Sequence, residues 1–194
     1  MDSTASIQSN EGGFTLLEVL IAMAVMVGGL LSAAYGIGLG LEAVQMSTMD
    51  TIAREKAREA MEDVFTARDS SATVTFSQIC NIPLSGSNPN GCLFVTGPTP
   101  MYTADPNGLV NTTAAATQGI IETYQTPGAD GILGTADDPP PINLTGFQRT
   151  IQITPFESSD SYTQLVQVTV TITYNPLPWT SRTVTMVAIM SPYV

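Results

Sequence analysis

Histidine is absent from the 194-residue sequence. That absence removes Ser-His-Asp and Cys-His catalysis, histidine general-base chemistry and most catalytic zinc sites. The two cysteines allow one intramolecular bridge and no cysteine-rich metal site. Cations are scarce as well: 6 Lys+Arg stand against 17 Asp+Glu, giving a net charge of -11 and a pI near 4.1. A chain this acidic repels phosphate backbones, so nucleic acid is disfavoured as a partner. Together these absences argue against an enzyme. What the composition does supply is apolar mass, 43% hydrophobic against 12% charged, enough for one domain with its own core.

That apolar mass is concentrated near the amino terminus. Residues 19–41, VLIAMAVMVGGLLSAAYGIGLGL, carry no charge, and the run exceeds the ~20 residues a helix needs to cross a bilayer core. Phe14, Thr15, Leu16 and Leu17 extend it, and Glu18 interrupts it. A core helix of a soluble protein rarely stays uncharged for so long. A secretory signal cut near Ser32-Ala33-Ala34 would want a positive leader and a shorter apolar stretch, whereas MDSTASIQSNEGG is net negative. The remaining reading is a retained membrane helix. A carboxylate at such a depth costs roughly 2.5–3.5 kcal/mol on insertion scales and therefore asks for a partner.

The string Gly12-Gly13-Phe14-Thr15-Leu16-Leu17-Glu18-Val19-Leu20-Ile21-Ala22 resembles the class III signal of type IV pilins and type II secretion pseudopilins. The resemblance implies that a prepilin peptidase cuts after Gly13 and methylates the new amino terminus at Phe14. It implies assembly through Phe14, Thr15 and Glu18, with other pilin subunits and an inner-membrane assembly platform as partners. The implied precursor is single-pass in the bacterial inner membrane with its head in the periplasm, then part of a periplasmic or cell-surface filament. Where relatives carry a basic residue before the glycine, this chain has Glu11. The orientation with the amino terminus inside thus follows from the resemblance and not from charge balance.

The motif also makes chemical sense by itself. Cleavage after Gly13 creates an amine at Phe14, cationic when monomethylated, and Glu18 lies about one helical turn on. Neither charge is tolerable alone in an apolar medium. In a staggered filament Glu18 of one subunit reaches the Phe14 amine of the next; an intrasubunit pair is the alternative. Thr15 has a hydroxyl for either group.

Residues 42–69 continue as an amphipathic helix. They contain no Gly or Pro, and Val44, Met46, Met49, Ile52, Ala53, Ala57, Ala60, Met61, Val64 and Phe65 recur at three- and four-residue steps. Upstream, Gly28-Gly29 and Gly36-x-Gly38-x-Gly40 put continuity in question, since each glycine costs about 1 kcal/mol relative to alanine. Gly36 and Gly40 also form a close-packing GxxxG face. After Asp69 the composition turns to Ser, Thr, Asn, Gly and Pro. Strands are expected at 72–76, 93–96 and 119–124, and more clearly at 147–154, 166–174 and 182–190. In 147–154 and 166–174 apolar-phase and polar residues alternate, most cleanly Val166, Val168, Val170, Ile172 and Tyr174 against Gln167, Thr169, Thr171 and Thr173. This hairpin resembles that of PilV-type and GspI-type minor pilins.

Cys80 and Cys92 bracket a turn-rich loop, and in an exported head they are expected to pair. Asp130, Asp137 and Asp138 lie in a glycine-containing segment whose carboxylates and free carbonyls suit calcium; a solvated acidic turn is the plainer alternative. No other cofactor is implied. The expected organisation is a cleaved leader at 1–13, a transmembrane and polymerisation helix at 14–41, its amphipathic half at 42–69 and a β-rich head at 70–194. The fold class is α+β, a long amino-terminal helix packed on a carboxy-terminal antiparallel sheet. The implied function is a minor pilin or minor pseudopilin, with a membrane-tethered periplasmic binding module that never polymerises as the alternative.

Overall fold

The computed structural model describes residues 15–70, 74–83, 87–88, 90–156, 165–177 and 180–192. The chain divides into two units, Met1–Val44 and Gln45–Val194. Helix α1, Leu16–Asp69, contributes to both and is unbroken through every glycine the sequence placed in doubt.

In the first unit α1 turns its apolar side chains outward. Leu16 is 79% exposed and Leu31 67%, and the helix is long and apolar enough to cross a membrane. A Cβ added at Gly28, Gly29, Gly36, Gly38 or Gly40 would meet nothing within 4 Å. These glycines therefore fill no need of the isolated chain. Ser32 Oγ donates to the Gly28 carbonyl at 2.8 Å, which satisfies its hydroxyl without a partner helix.

The second unit is an α+β layer. Its main sheet has the order β1 (Thr99–Pro100), β4 (Phe147–Pro155), β5 (Val166–Leu177), β6 (Thr180–Met190), all neighbours antiparallel. The alternation read on β5 is the observed one: Val166, Val168, Val170, Ile172 and Tyr174 are buried. On the helix the buried positions are Ile52, Ala53, Ala57, Ala60, Met61, Val64 and Ala67. Four of these are alanines, which let the helix backbone lie close to the sheet. Val44, assigned to the apolar face by its spacing, is exposed and falls in the first unit. Tyr174 stacks on Phe147 with ring centroids 5.2 Å apart and donates its hydroxyl to Asp50 of the helix at 3.0 Å.

Between helix and sheet the chain is largely irregular. The strand expected at 72–76 is not formed at its described positions: 74–75 are coil and Phe76–Gln78 is a 3-10 turn, capped by Thr75 and Gln78; residues 72 and 73 lie outside the described residues. Of 93–96 only Phe94 makes isolated bridges, to Asn81 and Thr112. Of 119–124, Thr123–Tyr124 forms β2, paired with β3 (Ile142–Asn143). A short helix the periodicity did not announce, α2 (Thr113–Gln118), starts on the Thr112 hydroxyl and ends at Gly119 in the left-handed region.

Candidate functional site

The acidic loop connects β2 to β3. One carboxylate oxygen from each of Asp130, Asp137 and Asp138 lies within 4.8 Å of the others. Asp138 accepts from the backbone N–H groups of Gly128 (2.7 Å), Gly134 (2.5 Å) and Thr135 (3.2 Å). Asp137 accepts from the Thr135 hydroxyl at 2.7 Å and the Asp130 N–H at 3.2 Å. These donors hold both acids below the usual carboxylate range: at Asp137 the Thr135 hydroxyl leads, and at Asp138 the N–H groups outweigh the upward push of burial. Gly128 is required here, because a Cβ would sit 2.6 Å from the Asp137 carbonyl oxygen. The loop is thus ordered by its own backbone donors, with three carboxylates converging.

Cys80 and Cys92 form a disulfide, with Cα atoms 4.9 Å apart. Asn88 supports the loop inside it, accepting from the Cys92 N–H at 2.8 Å and donating to the Cys92 carbonyl at 3.1 Å.

At the start of α1, Thr15 is the helix cap. Its carbonyl accepts from the Glu18 N–H at 3.0 Å and the Val19 N–H at 3.2 Å, and its hydroxyl accepts from the Glu18 N–H at 3.3 Å. Glu18 follows in the first turn, where a carboxylate is favoured by the helix dipole. Gly13 and Phe14 lie outside the described residues. Thr15 therefore fixes the helix origin, and Glu18 is the one charge in the apolar segment that follows.

Residues 8–33 match the family model of the prokaryotic N-terminal methylation motif. The amino terminus is a type IV prepilin-like signal. With this signal and its apolar helix, the chain has the make-up of a membrane-anchored, pilin-like precursor processed by a prepilin peptidase. Among curated proteins and solved structures, no match is found.

The second unit of this prepilin-like chain holds a charged centre that no motif announced. Arg149, on the apolar phase of β4, is fully buried. It donates through Nη2 to Glu122 Oε1 at 3.0 Å and the Tyr102 carbonyl at 3.1 Å, and through Nε to Asn111 at 3.4 Å. Glu122 is 5% exposed and meets Lys56 Nζ at 3.0 Å. Glu122 Oε2 is thus held by the Lys56 ammonium, while Arg149 Nη1 has no hydrogen-bonded partner among the described residues. Lys56 also holds Glu59 at 2.6 Å. Burial alone would lower the Lys56 pKa, but Glu59 and Glu122 together raise it, so it stays charged.

Asp63, on the same helix, feels this centre. Its pKa is pushed up from the ordinary 3.8 to about 6, first by burial and then by Glu59, against the opposing pull of Arg149. A carboxyl held above its unfolded value favours the protonated fold, so its contribution to stability declines as pH rises from about 4 to about 6. The Asp63→Asn protein should be the more stable one at pH 7.5, by about 1 kcal/mol once its half-exposure is discounted. The gap should close at pH 4. Urea titrations at the two pH values measure it, and equal differences at both would refute the assignment.

Proposed function

We propose that the chain is a minor pilin or minor pseudopilin, a structural subunit of a type IV pilus-like filament or type II secretion pseudopilus. One observation carries the reading: the methylation motif at 8–33 runs into an unbroken helix whose large apolar side chains from Leu16 to Leu41 are exposed among the described residues. A bilayer supplies that cover first and neighbouring helices supply it after extraction. On this reading the leader 1–13 is removed after Gly13, Phe14 is N-methylated, and Glu18 of one subunit pairs with the Phe14 amine of another. The periplasmic head and the filament location belong to the same proposal, as does contact with an assembly platform. The protein's chemistry is then assembly, with itself as the substrate of the peptidase.

Two measurements on protein from the producing cell test this together. Mass spectrometry of the mature chain should find methylated Phe14 as its first residue. Cysteines at Leu16 and Leu20 should give inter-subunit ladders on oxidation in sheared filaments. A correctly processed chain that inserts but gives no ladder is a tethered periplasmic module instead. A chain beginning elsewhere refutes the processing itself.

The acidic loop adds a calcium site to the proposal, because three converging carboxylates suit a hard cation with oxygen ligands. Calcium at millimolar concentration should raise the melting temperature by several degrees, as mass action on a folded-state site requires. Asp130→Ala and Asp137→Ala should each abolish the shift. A melting temperature indifferent to calcium leaves the loop as a turn held by its own N–H donors.

A further inference from the structure

One edge of the four-stranded sheet is sealed and the other is open. At the β4 edge, β1 pairs with Gln148 and Arg149, and the Thr96 carbonyl accepts from the Ile151 N–H at 3.0 Å. Beyond that, the Asn81 side chain imitates a strand, donating to the Ile151 carbonyl at 2.8 Å and accepting from the Ile153 N–H at 2.6 Å. At the far edge β6 pairs with β5 alone over its 11 residues. Among the described residues, no backbone group of β6 bonds to anything beyond β5.

The open edge is also apolar. On β5 the helix-facing valines and Ile172 are fully buried, but their cross-strand neighbours Val184, Met186 and Ala188 are only half-buried. On the opposite face Val187 and Ile189 are 58% and 54% exposed. Natural edge strands are guarded by charges, proline, bulges or shortness. β6 has one charge, Arg182, and no proline. The register shift in its ladder lies at the far end, between Tyr174 and Leu177 of β5.

We propose that this edge pairs with β6 of a second copy of the chain, antiparallel about Ala188. That register is self-complementary on both faces: Val187 of each copy lies opposite Ile189 of the other, and Met186 opposite Met190. A one-residue slip would carry every side chain to the wrong face. Charge does not oppose a second copy at this strand. Two molecules of net charge -11 repel over most of their surface, yet β6 contains no acidic residue and its single cation lies outside the paired stretch. The contact is short, below the roughly 1,000 Å² of a stable complex. It is therefore weak in dilute solution and is favoured where copies are held at high local concentration. It does not depend on the filament reading, since tethering in any membrane suffices.

Cysteine cross-linking of the full-length protein in detergent micelles reads the register directly. Directly opposed antiparallel residues have Cα atoms about 4.5–5.5 Å apart, within disulfide range, whereas diagonal ones are ~7–8 Å apart. Under copper-phenanthroline oxidation, Ala188→Cys should cross-link to itself. A mixture of Val187→Cys and Ile189→Cys proteins should form the mixed dimer at least tenfold faster than either protein alone, and Thr183→Cys should stay at the collision background. Val187→Lys with Ile189→Lys, checked for unchanged far-UV circular dichroism, should suppress the Ala188→Cys dimer. Should that double variant misfold, the single-cysteine pattern still decides. Equal rates at all positions, a pattern centred elsewhere, or cross-links only to a different protein would each overturn the proposal.

Discussion

Glu122→Ala is expected to cost the second unit about 3–5 kcal/mol, the range for removing one partner of a buried ion pair. The magnitude follows from what the alanine leaves behind. Arg149 is fully buried and has no acid other than Glu122 within salt-bridge distance among the described residues. Its remaining acceptors, the Tyr102 carbonyl and Asn111, are neutral. A guanidinium cannot escape by losing its proton, so the unpaired charge must be borne by the fold or exposed by opening it. Lys56 would keep Glu59 at 2.6 Å, so the loss falls chiefly on Arg149. Against a total stability of about 5–15 kcal/mol for a domain, the variant should melt at least 10 °C lower. Glu122→Ala combined with Arg149→Met should recover most of the loss, because apolar replacement of a whole buried pair is often neutral. A thermal melt of the single variant within 2 °C of the parent would show that water or Asp63 already serves Arg149.

This centre also marks where sequence reading stopped. The alternation along β5 was legible because one face is buried and a period of two follows from the pleat. Arg149 was in that pattern, at an inward position of β4, but nothing local names its partner. Glu122 lies in the segment before β2 and Lys56 on the helix, and an ion pair between distant residues leaves no periodic trace. The irregular stretch was opaque for a related reason: its backbone groups are met by side chains instead of ladders. Asp105, buried beside α2, accepts from the N–H groups of Asn107 and Leu109 and from the Thr112 hydroxyl. Asn111, at φ 59°, donates to the Val95 carbonyl and accepts from Thr99. Such caps are single residues that could equally mark a turn. By contrast the prepilin-like signal was legible at once, since a carboxylate within a membrane-length apolar run is rare enough to need a reason.

That carboxylate sets the second large effect. On the proposed function, Glu18→Leu should insert into the membrane at least as well as the parent, because it removes a charge that costs roughly 2.5–3.5 kcal/mol at membrane depth. Its entry into filaments should nevertheless fall about a hundredfold, as losing about 3 kcal/mol of a buried pair implies at 1.4 kcal/mol per factor of ten. The two readouts move in opposite directions, which separates an assembly role from a folding or insertion defect. Thr15→Ala provides the complementary control. It removes the hydroxyl that accepts from the Glu18 N–H and should cost about 1 kcal/mol of helix capping, lowering assembly several-fold without touching the charge. Quantitative blotting of membrane and sheared-filament fractions measures both variants. Equal loss of Glu18→Leu from the two fractions would make the carboxylate a matter of insertion, and normal incorporation would mean that the Phe14 amine finds its counter-charge elsewhere.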